Sequence, residues 1–197
     1  MISVEPTLMA AILGFNVVAV TQMAYEIDGW GTGELVVADR LVVWHESPWP
    51  RARTSLVPSQ TPSHPGLGHG IAPKVSRGRN SFLAEVIARL RSYFDGDCEA
   101  LEGVPVDLEH ETPFLTRCAE ELRSIPPGEV VTYGELAALA GAPGAARAAG
   151  SFCARNRLGL FVPCHRVVAA ADLGSYGSAG VEYKRRLLAL EGYPGAL

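Results

Sequence analysis

The sequence predicts an α/β protein in two parts. Residues 1–111 are expected to form an N-terminal α+β domain with a small antiparallel sheet. Residues 112–197 are expected to form a mostly helical, winged-helix-like C-terminal domain with a helix-turn-helix. Three observations predict this fold: two β-rich runs joined by a short turn, several segments with apolar residues at helical spacing, and a length of 197 residues, which suits one or two domains.

The chain begins with a mostly apolar run of 13 residues, Leu8–Val20. A membrane span needs about 20 such residues. A secretory signal has a basic start, whereas Glu5 is the only charge before this run. We therefore expect no membrane partner. The run is expected to be a buried strand or helix, or part of an extension, residues 1–22, of a chain that begins near Met23.

Two short β-rich runs, Glu34–Ala38 and Leu41–Trp44, flank an Asp-Arg pair and predict an antiparallel hairpin. Residues 47–80 follow, with six prolines mixed with glycine, serine and histidine, and predict a long surface loop. Two histidines of this loop, His64 and His69, have no third ligand nearby in the sequence, so we expect no metal there.

The segment Ser81–Phe94 predicts an amphipathic helix that covers the sheet. Its apolar residues recur at helical spacing: Phe82, Leu83, Val86, Ile87, Leu90 and Phe94. The acidic stretch that ends at Glu111 is expected to connect this helix to the second half of the chain.

A second helix is predicted to start at Thr112 and Pro113, because proline is favoured in the first helical turn. Its apolar stripe consists of Leu115, Cys118, Ala119 and Leu122. Two prolines and a glycine end this helix at residues 126–128. The next residues, Val130–Tyr133, are predicted to be extended.

Two short helices, Gly134–Ala140 and Ala145 to about Arg155, flank a glycine-containing turn. This is the helix-turn-helix pattern, in which the first turn of the second helix enters a DNA groove. Arg147 lies in that turn. The pattern alone leaves a second interpretation open, because many alanine-rich helix pairs belong to a protein core.

The net charge of −4 argues against a protein that is held to nucleic acid by bulk positive charge. The charge is unevenly distributed, however. Residues 1–111 carry 8 basic and 14 acidic residues, whereas residues 112–197 carry 9 and 7. Between Glu135 and Asp172 no acidic residue occurs, while four arginines do: Arg147, Arg155, Arg157 and Arg166. A local cationic surface is therefore compatible with the acidic total.

The four cysteines, Cys98, Cys118, Cys153 and Cys164, form no closely spaced pair. A disulfide framework or a four-thiolate zinc site is therefore not expected. A reducing, cytoplasmic compartment is expected instead. No cofactor is predicted.

The chemistry is predicted at residues 158–166, where an apolar strand runs into Pro163 and a Cys-His-Arg triplet. Cys164 is either an inert buried cysteine or a nucleophile whose pKa is lowered by its basic neighbours. His165 can assist Cys164 only if the backbone bends there or a water bridges them, because neighbours in a strand point to opposite faces. In the last predicted helix, Val181–Gly192, a carboxylate, Glu191, shares a face with buried leucines and needs a partner. An imidazole would complete a Cys-His-Glu relay, although a solvated terminal glutamate is the alternative.

The segment Pro163–Val168 resembles the active-site signature of the O6-alkylguanine-DNA alkyltransferases, also called methylated-DNA-protein-cysteine methyltransferases. The resemblance extends upstream through Pro127–Ala137 and Ala145–Gly150, and downstream through Lys184–Gly192. It is close over residues 112–193 and looser over 23–111.

This resemblance implies a single-use repair protein that moves the alkyl group of O6-alkylguanine in double-stranded DNA irreversibly to Cys164. His165, a water and Glu191 would relay the proton, and Asn156 would support the site as a hinge. Tyr133 would help to flip the base out and give a proton to the departing guanine, and Arg147 would fill the hole in the duplex. Ala146 would let its helix approach the DNA closely, and Arg166 would contribute to phosphate binding. The protein is expected to act as a monomer.

The sequence departs from the family pattern in several places, including Leu115 and Cys118-Ala119 in the helix that begins at Thr112. Arg157 follows the hinge asparagine where proline is usual, Ala170 stands where serine is frequent, and the usual Gly-Gly is altered within residues 176–180. Two alternative functions therefore stay open. One is a non-catalytic lesion binder, although relatives of that type have tryptophan in place of the cysteine. The other is a Cys-His-Glu hydrolase.

Overall fold

The computed structural model describes residues 20–38, 40–49 and 77–196. The predictions for the apolar run before Val20 and for the interior of the 47–80 loop, including His64 and His69, lie outside the described residues.

The N-terminal half contains a three-stranded antiparallel sheet in the order β1 (Val20–Ile27), β2 (Gly31–Ala38) and β3 (Leu41–Trp49). The predicted hairpin is β2 and β3, with Ala38 opposite Leu41. Strand β1 was not predicted, because its first five residues are half-buried or exposed and give no alternating pattern. Because β3 continues to Trp49, the predicted start of the loop at residue 47 is wrong.

Helix α1 (Arg77–Phe94) covers the sheet. The predicted stripe is confirmed, since all six of its apolar residues are buried. The helix begins at Arg77 rather than at Ser81, because residues 77–80 lack the apolar spacing that marks the rest of it. The predicted end of the loop at residue 80 is therefore also wrong.

The C-terminal half begins with α2 (Pro113–Arg123), whose N-terminus is capped by the Thr112 hydroxyl. Two short strands, β4 (Val131–Thr132) and β5 (Val167–Val168), pair in parallel. The predicted helix pair is α3 (Tyr133–Leu139) and α4 (Ala146–Ala154). The last helix is α5 (Gly180–Leu190). The predicted fold class, a small antiparallel sheet followed by a mostly helical half, is confirmed.

Three local predictions for this half are corrected. Tyr133 begins α3 instead of ending an extended segment, because Thr132 and Glu135 form a capping box around its first turn. The predicted strand at 158–163 is a 3-10 turn, Gly159–Phe161, since a short buried apolar run does not distinguish strand from turn. The last helix stops at Leu190, so Glu191 is its C-cap residue.

The two halves share one hydrophobic cluster. At the junction the His45 amide donates to the Arg157 carbonyl over 2.8 Å. The Arg157 guanidinium pairs with Asp107, also at 2.8 Å. The domain boundary between residues 111 and 112 stays a prediction. Within the described part of the chain, no helix has the length and apolarity needed to cross a membrane.

Candidate active site

Cys164 lies on a 3-10 turn, Cys164–Arg166, that directly precedes β5. The turn follows Pro163, whose ring replaces the backbone N–H that a continuing strand would require. Within the turn the Arg166 amide donates to the Pro163 carbonyl over 2.8 Å. His165 can assist Cys164 only if the backbone bends here, and this turn is such a bend. Cys164 is half-buried and His165 is fully buried.

Asn156 fixes the position of the sulfur. Its amide nitrogen donates to the Val162 carbonyl over 2.7 Å and to the Cys164 sulfur over 3.3 Å. Its carbonyl oxygen accepts from the Leu158 amide over 3.0 Å. One side chain, two residues after α4, thus ties that helix to the turn that carries Cys164. In place of the usual hinge proline, Arg157 anchors this connection through its ion pair with Asp107.

Burial raises the pKa of the Cys164 thiol. The hydrogen bond from Asn156, the nearby ammonium of Lys184 and a hydrogen bond from Tyr176 oppose that rise without reversing it. The expectation of a thiol with a lowered pKa is therefore wrong. The two basic neighbours do not lower it, because His165 and Arg166 pair with a carboxylate instead of the sulfur.

That carboxylate is Glu191. It accepts from His165 Nε2 over 2.9 Å, from Tyr93 over 2.7 Å, and from Arg166 through Nε over 2.9 Å and Nη2 over 2.7 Å. Burial alone would raise the pKa of Glu191, but attraction and hydrogen bonds from His165 and Arg166 hold it well below its ordinary range. The buried Glu191 carboxylate is thereby kept ionised. His165 and Arg166 are the partners that a carboxylate on the buried face of the last helix needs.

The carboxylate also determines the protonation of His165. Burial lowers the pKa of this imidazole, so the ring is neutral near pH 7. A neutral ring that faces a carboxylate through Nε2 carries its proton on Nε2. Nδ1 is then the basic nitrogen, and it is buried without a hydrogen-bond partner among the described residues.

The structure contradicts the DNA-binding prediction for Arg166. Its guanidinium is buried, with Glu191 on one side and the Ile125 carbonyl, 2.5 Å from Nη1, on the other. A cation in this position neutralises a buried carboxylate and does not face solvent or phosphate. Arg157 is likewise engaged with Asp107 and the Glu109 carbonyl. Of the four arginines in the acid-free window, Arg147 and Arg155 are exposed.

Tyr133 lies at the start of α3, where its ring packs between two glycines. A Cβ at Gly150 on α4 would lie 3.8 Å from the ring, and a Cβ at Gly174 would lie 3.4 Å from the hydroxyl. Burial, with Cys153 and Cys164 nearby, raises the pKa of Tyr133, so its hydroxyl keeps its proton. The tyrosine therefore lies on the Cys164 side of the helix pair.

Arg147 and Ala146 occupy the first turn of α4, as predicted. The Arg147 side chain is exposed and, among the residues described, has no ion-pair partner. Ala146 is half-buried. In helix-turn-helix proteins, residues in the first turn of the second helix contact base edges. Their predicted roles stay predictions.

Three residues near the site were not predicted: Tyr93, Tyr176 and Lys184. Tyr93 comes from α1, 98 positions before its partner Glu191, so no local pattern indicates the contact. Lys184 is fully buried and donates to the Val167 carbonyl over 2.6 Å and to the Leu173 carbonyl. The sequence does place Lys184 on the apolar face of the last helix, and this position indicates a buried lysine that needs hydrogen-bond partners. No cluster of metal-ligating side chains occurs in the described ranges.

A family model described as "6-O-methylguanine DNA methyltransferase, DNA binding domain" matches residues 113–193. The methylated-DNA-protein-cysteine methyltransferase of Metallosphaera sedula is 42% identical over 113 residues, which cover 57% of this chain and 69% of the relative. The crystal structure of the Mycobacterium tuberculosis O6-methylguanine methyltransferase covers 88% of this chain and 93% of its own, with a TM-score of 0.63 and 27% identity.

A second structure, of the Mycobacterium tuberculosis protein in complex with DNA, covers 89% of this chain and 96% of its own, with a TM-score of 0.63 and 29% identity. Residues 113–193, which the family model matches, contain the Cys164 turn, the helix pair, and Glu191 with its partners His165 and Arg166. Because the Metallosphaera sedula relative is 42% identical and this chain covers 69% of it, the chain belongs to the methylated-DNA-protein-cysteine methyltransferase family.

Proposed function

We propose that this protein repairs DNA directly by moving the alkyl group of O6-alkylguanine to its own Cys164. The Cys164 sulfur forms a bond to the alkyl carbon while the bond from that carbon to O6 breaks and leaves its electron pair on the guanine. The product on the protein is a thioether, which nothing in this chemistry reverses. Each molecule therefore acts once.

One observation carries this proposal. The Cys164 sulfur, positioned by Asn156, lies one residue from a neutral, buried imidazole that is itself oriented by an ionised Glu191. A nucleophile, a base and a group that orients the base are the components that an activated thiol needs.

The proton of the thiol passes to His165 Nδ1 through a water, in our proposal, because Nε2 is already committed to Glu191. The imidazolium that forms is stabilised by the carboxylate, whose negative charge is maintained by Arg166. Arg166 and Tyr93 act on the reaction through Glu191 and are positioning residues.

The target base must leave the DNA stack before its O6 substituent can reach Cys164, at a cost of a few kcal/mol. We propose that the exposed Arg147 enters the duplex and replaces the lost stacking, since a planar guanidinium stacks on bases. Ala146 keeps the helix surface small at the point of approach. The Tyr133 hydroxyl, which keeps its proton, supplies a proton to the departing guanine.

The proposed partner is double-stranded DNA that contains O6-alkylguanine, and the proposed active species is a monomer. A reducing, cytoplasmic compartment suits the chemistry, because Cys164 must be a free thiol to react. All four cysteines are described, and all four are free. The proposed reaction uses no cofactor.

The number of methyl groups transferred per protein molecule tests the proposal. With excess duplex that carries labelled O6-methylguanine, one methyl per active molecule is expected, followed by no further reaction. A Cys-His-Glu hydrolase would instead turn over repeatedly, and a lesion binder would retain the duplex without any transfer. Either of these results contradicts the proposal.

The transfer rate is expected to change little between pH 7 and 8. Burial lowers the pKa of His165 and raises the pKa of Cys164, so a neutral imidazole and a thiol are the resting forms throughout this range. Because the thiol proton passes to His165 within the site, the reactive pair forms without release of a proton to solvent, and the single-turnover rate constant on duplex DNA should fall only where His165 becomes protonated at lower pH. A rate constant that rises about tenfold per pH unit over this range would contradict the role of His165 as the base, because the thiol would then lose its proton to solvent.

A further inference from the structure

Strand β3 lies at the edge of the N-terminal sheet, and two segments from other parts of the chain bond to its backbone. The first is the connecting segment, residues 104–111, in which the Asp107 amide donates to the Val42 carbonyl over 2.9 Å. The second segment carries Arg157, whose carbonyl accepts from the His45 amide over 2.8 Å. Strand β3 therefore holds both segments along the same strand.

An ion pair joins the two segments to each other. Nη2 of Arg157 donates to Asp107 Oδ2 over 2.8 Å and to the Glu109 carbonyl over 3.2 Å. The Asp107 carboxylate is itself fixed, because its Oδ1 accepts from the Glu109 amide over 3.1 Å. The side chains of Arg157 and Asp107 are only 23% and 31% exposed. Water and salt therefore screen this pair less than they screen a fully exposed one.

Arg157 directly follows Asn156, the residue that positions the reactive sulfur. The Asn156 side chain bonds to the Val162 carbonyl, the Leu158 amide and the Cys164 sulfur, all of which follow it in the chain. The backbone and the guanidinium of Arg157 tie the same point of the chain to β3 and to the connecting segment. A displacement of Arg157 therefore moves Asn156 relative to the sulfur.

We propose that Asp107 is a positioning residue for the transfer reaction: by holding the Arg157 guanidinium, it keeps the Asn156 amide against the Cys164 sulfur. A hydrogen bond to an ionised acceptor is stronger than one to a neutral acceptor, so the Asn156 amide stabilises the thiolate more than the thiol. Asp107 thereby favours the reactive form of the sulfur. This inference rests on the proposed function, in which Cys164 is the nucleophile.

The direct effect of the Asp107 charge on the sulfur has the opposite sign. A carboxylate disfavours a second negative charge nearby, so loss of the Asp107 charge would by itself make the thiolate easier to form. Asp107→Asn keeps the size of the side chain and removes the charge that pairs with Arg157. A slower reaction of the sulfur in this variant therefore indicates lost positioning, whereas a faster reaction indicates a charge effect alone.

The experiment compares Asp107→Asn, Asn156→Ala and the double variant with the unmodified protein. The rate at which iodoacetamide alkylates Cys164 is measured at pH 7 by peptide mass spectrometry, together with the single-turnover rate of methyl transfer on duplex DNA. Iodoacetamide is uncharged and needs no DNA, so it reports on the thiol alone. Glu85→Gln is the matched control, because Glu85 also pairs with an arginine, Arg89, but with both side chains more exposed.

Asp107→Asn is expected to slow both reactions about threefold, the size that follows from the loss of one partly exposed ion pair. In the Asn156→Ala background the same substitution should cause no further slowing, because the amide that it positions is absent. Arg157→Lys keeps the cation and should be slowed less than Arg157→Met, which should resemble Asp107→Asn. Glu85→Gln should match the unmodified protein.

An unchanged or faster alkylation rate in folded Asp107→Asn would overturn the inference, and so would equal slowing with and without the Asn156 side chain. If either variant does not fold, Arg157→Lys and Arg157→Met decide, because equal rates of these two would mean that the ion pair does not position the site. Absence of methyl transfer in the unmodified protein, with the expected pattern of alkylation, would contradict the proposed function instead. The two can therefore fail separately.

Discussion

Glu191→Gln is expected to lower the free energy of unfolding by about 3–5 kcal/mol and the transfer rate by about a hundredfold or more. The substitution keeps the size of the side chain but removes its charge. Arg166 is then a buried cation without a counter-ion, and the His165 ring loses the carboxylate that orients it and stabilises its protonated form. Denaturant unfolding measures the first effect, and single-turnover kinetics on duplex DNA measure the second.

Glu182→Gln is the matched control for this prediction. Glu182 lies on α5, the helix that Glu191 caps, and also pairs with an arginine, Arg185, but at an exposed surface where water and salt screen the interaction. This variant should unfold and react like the unmodified protein. Equal behaviour of the two variants would mean that the buried network contributes neither stability nor orientation.

Arg147→Ala is expected to reduce repair of duplex DNA by about 10- to 100-fold while leaving the reaction with free O6-alkylguanine base unchanged. The duplex must be held open around the extruded nucleotide, and loss of a stacking guanidinium costs about 1–3 kcal/mol. The free base needs no extrusion, so the exposed Arg147 side chain has no part in its reaction. Parallel single-turnover measurements on the two substrates give the comparison.

Arg155→Ala is the corresponding control, since Arg155 is also an exposed arginine and follows the same helix. If Arg155 contacts only phosphate, its removal should weaken DNA binding modestly and reduce the dependence of binding on salt. Equal losses of Arg147→Ala on duplex and free base would contradict the stacking role, because they would indicate damage to the site itself.

Elements with a strong local period could be predicted from the sequence. The stripe of α1 and the paired runs of β2 and β3 indicate both the type of element and the face that is buried. The segment before Pro163 could not be predicted in this way. Leu158, Leu160, Phe161 and Val162 are all buried, so the run shows no polar face from which a strand could be told from a turn.

The candidate site was predictable in its members and less so in its electrostatics. The buried face of the last helix indicated that Glu191 needs a partner, and His165 is one. Arg166 was misassigned because the sequence does not show which way a residue on a 3-10 turn points. The same turn directs both basic side chains to Glu191, so burial dominates at Cys164 and raises its pKa. Contacts from distant elements, such as Tyr93, follow only from the tertiary fold.

Peptide mapping after reaction with one equivalent of O6-methylguanine duplex tests the role of Cys164 most directly. One added methyl group is expected on the peptide that contains Cys164, in proportion to the O6-methylguanine lost from the DNA. The peptides that contain Cys98, Cys118 and Cys153 should be unmodified, because these thiols lack the Asn156 and His165 environment. Loss of the DNA methyl group with an unmodified Cys164 peptide, or a methyl on another cysteine, would contradict the proposed chemistry.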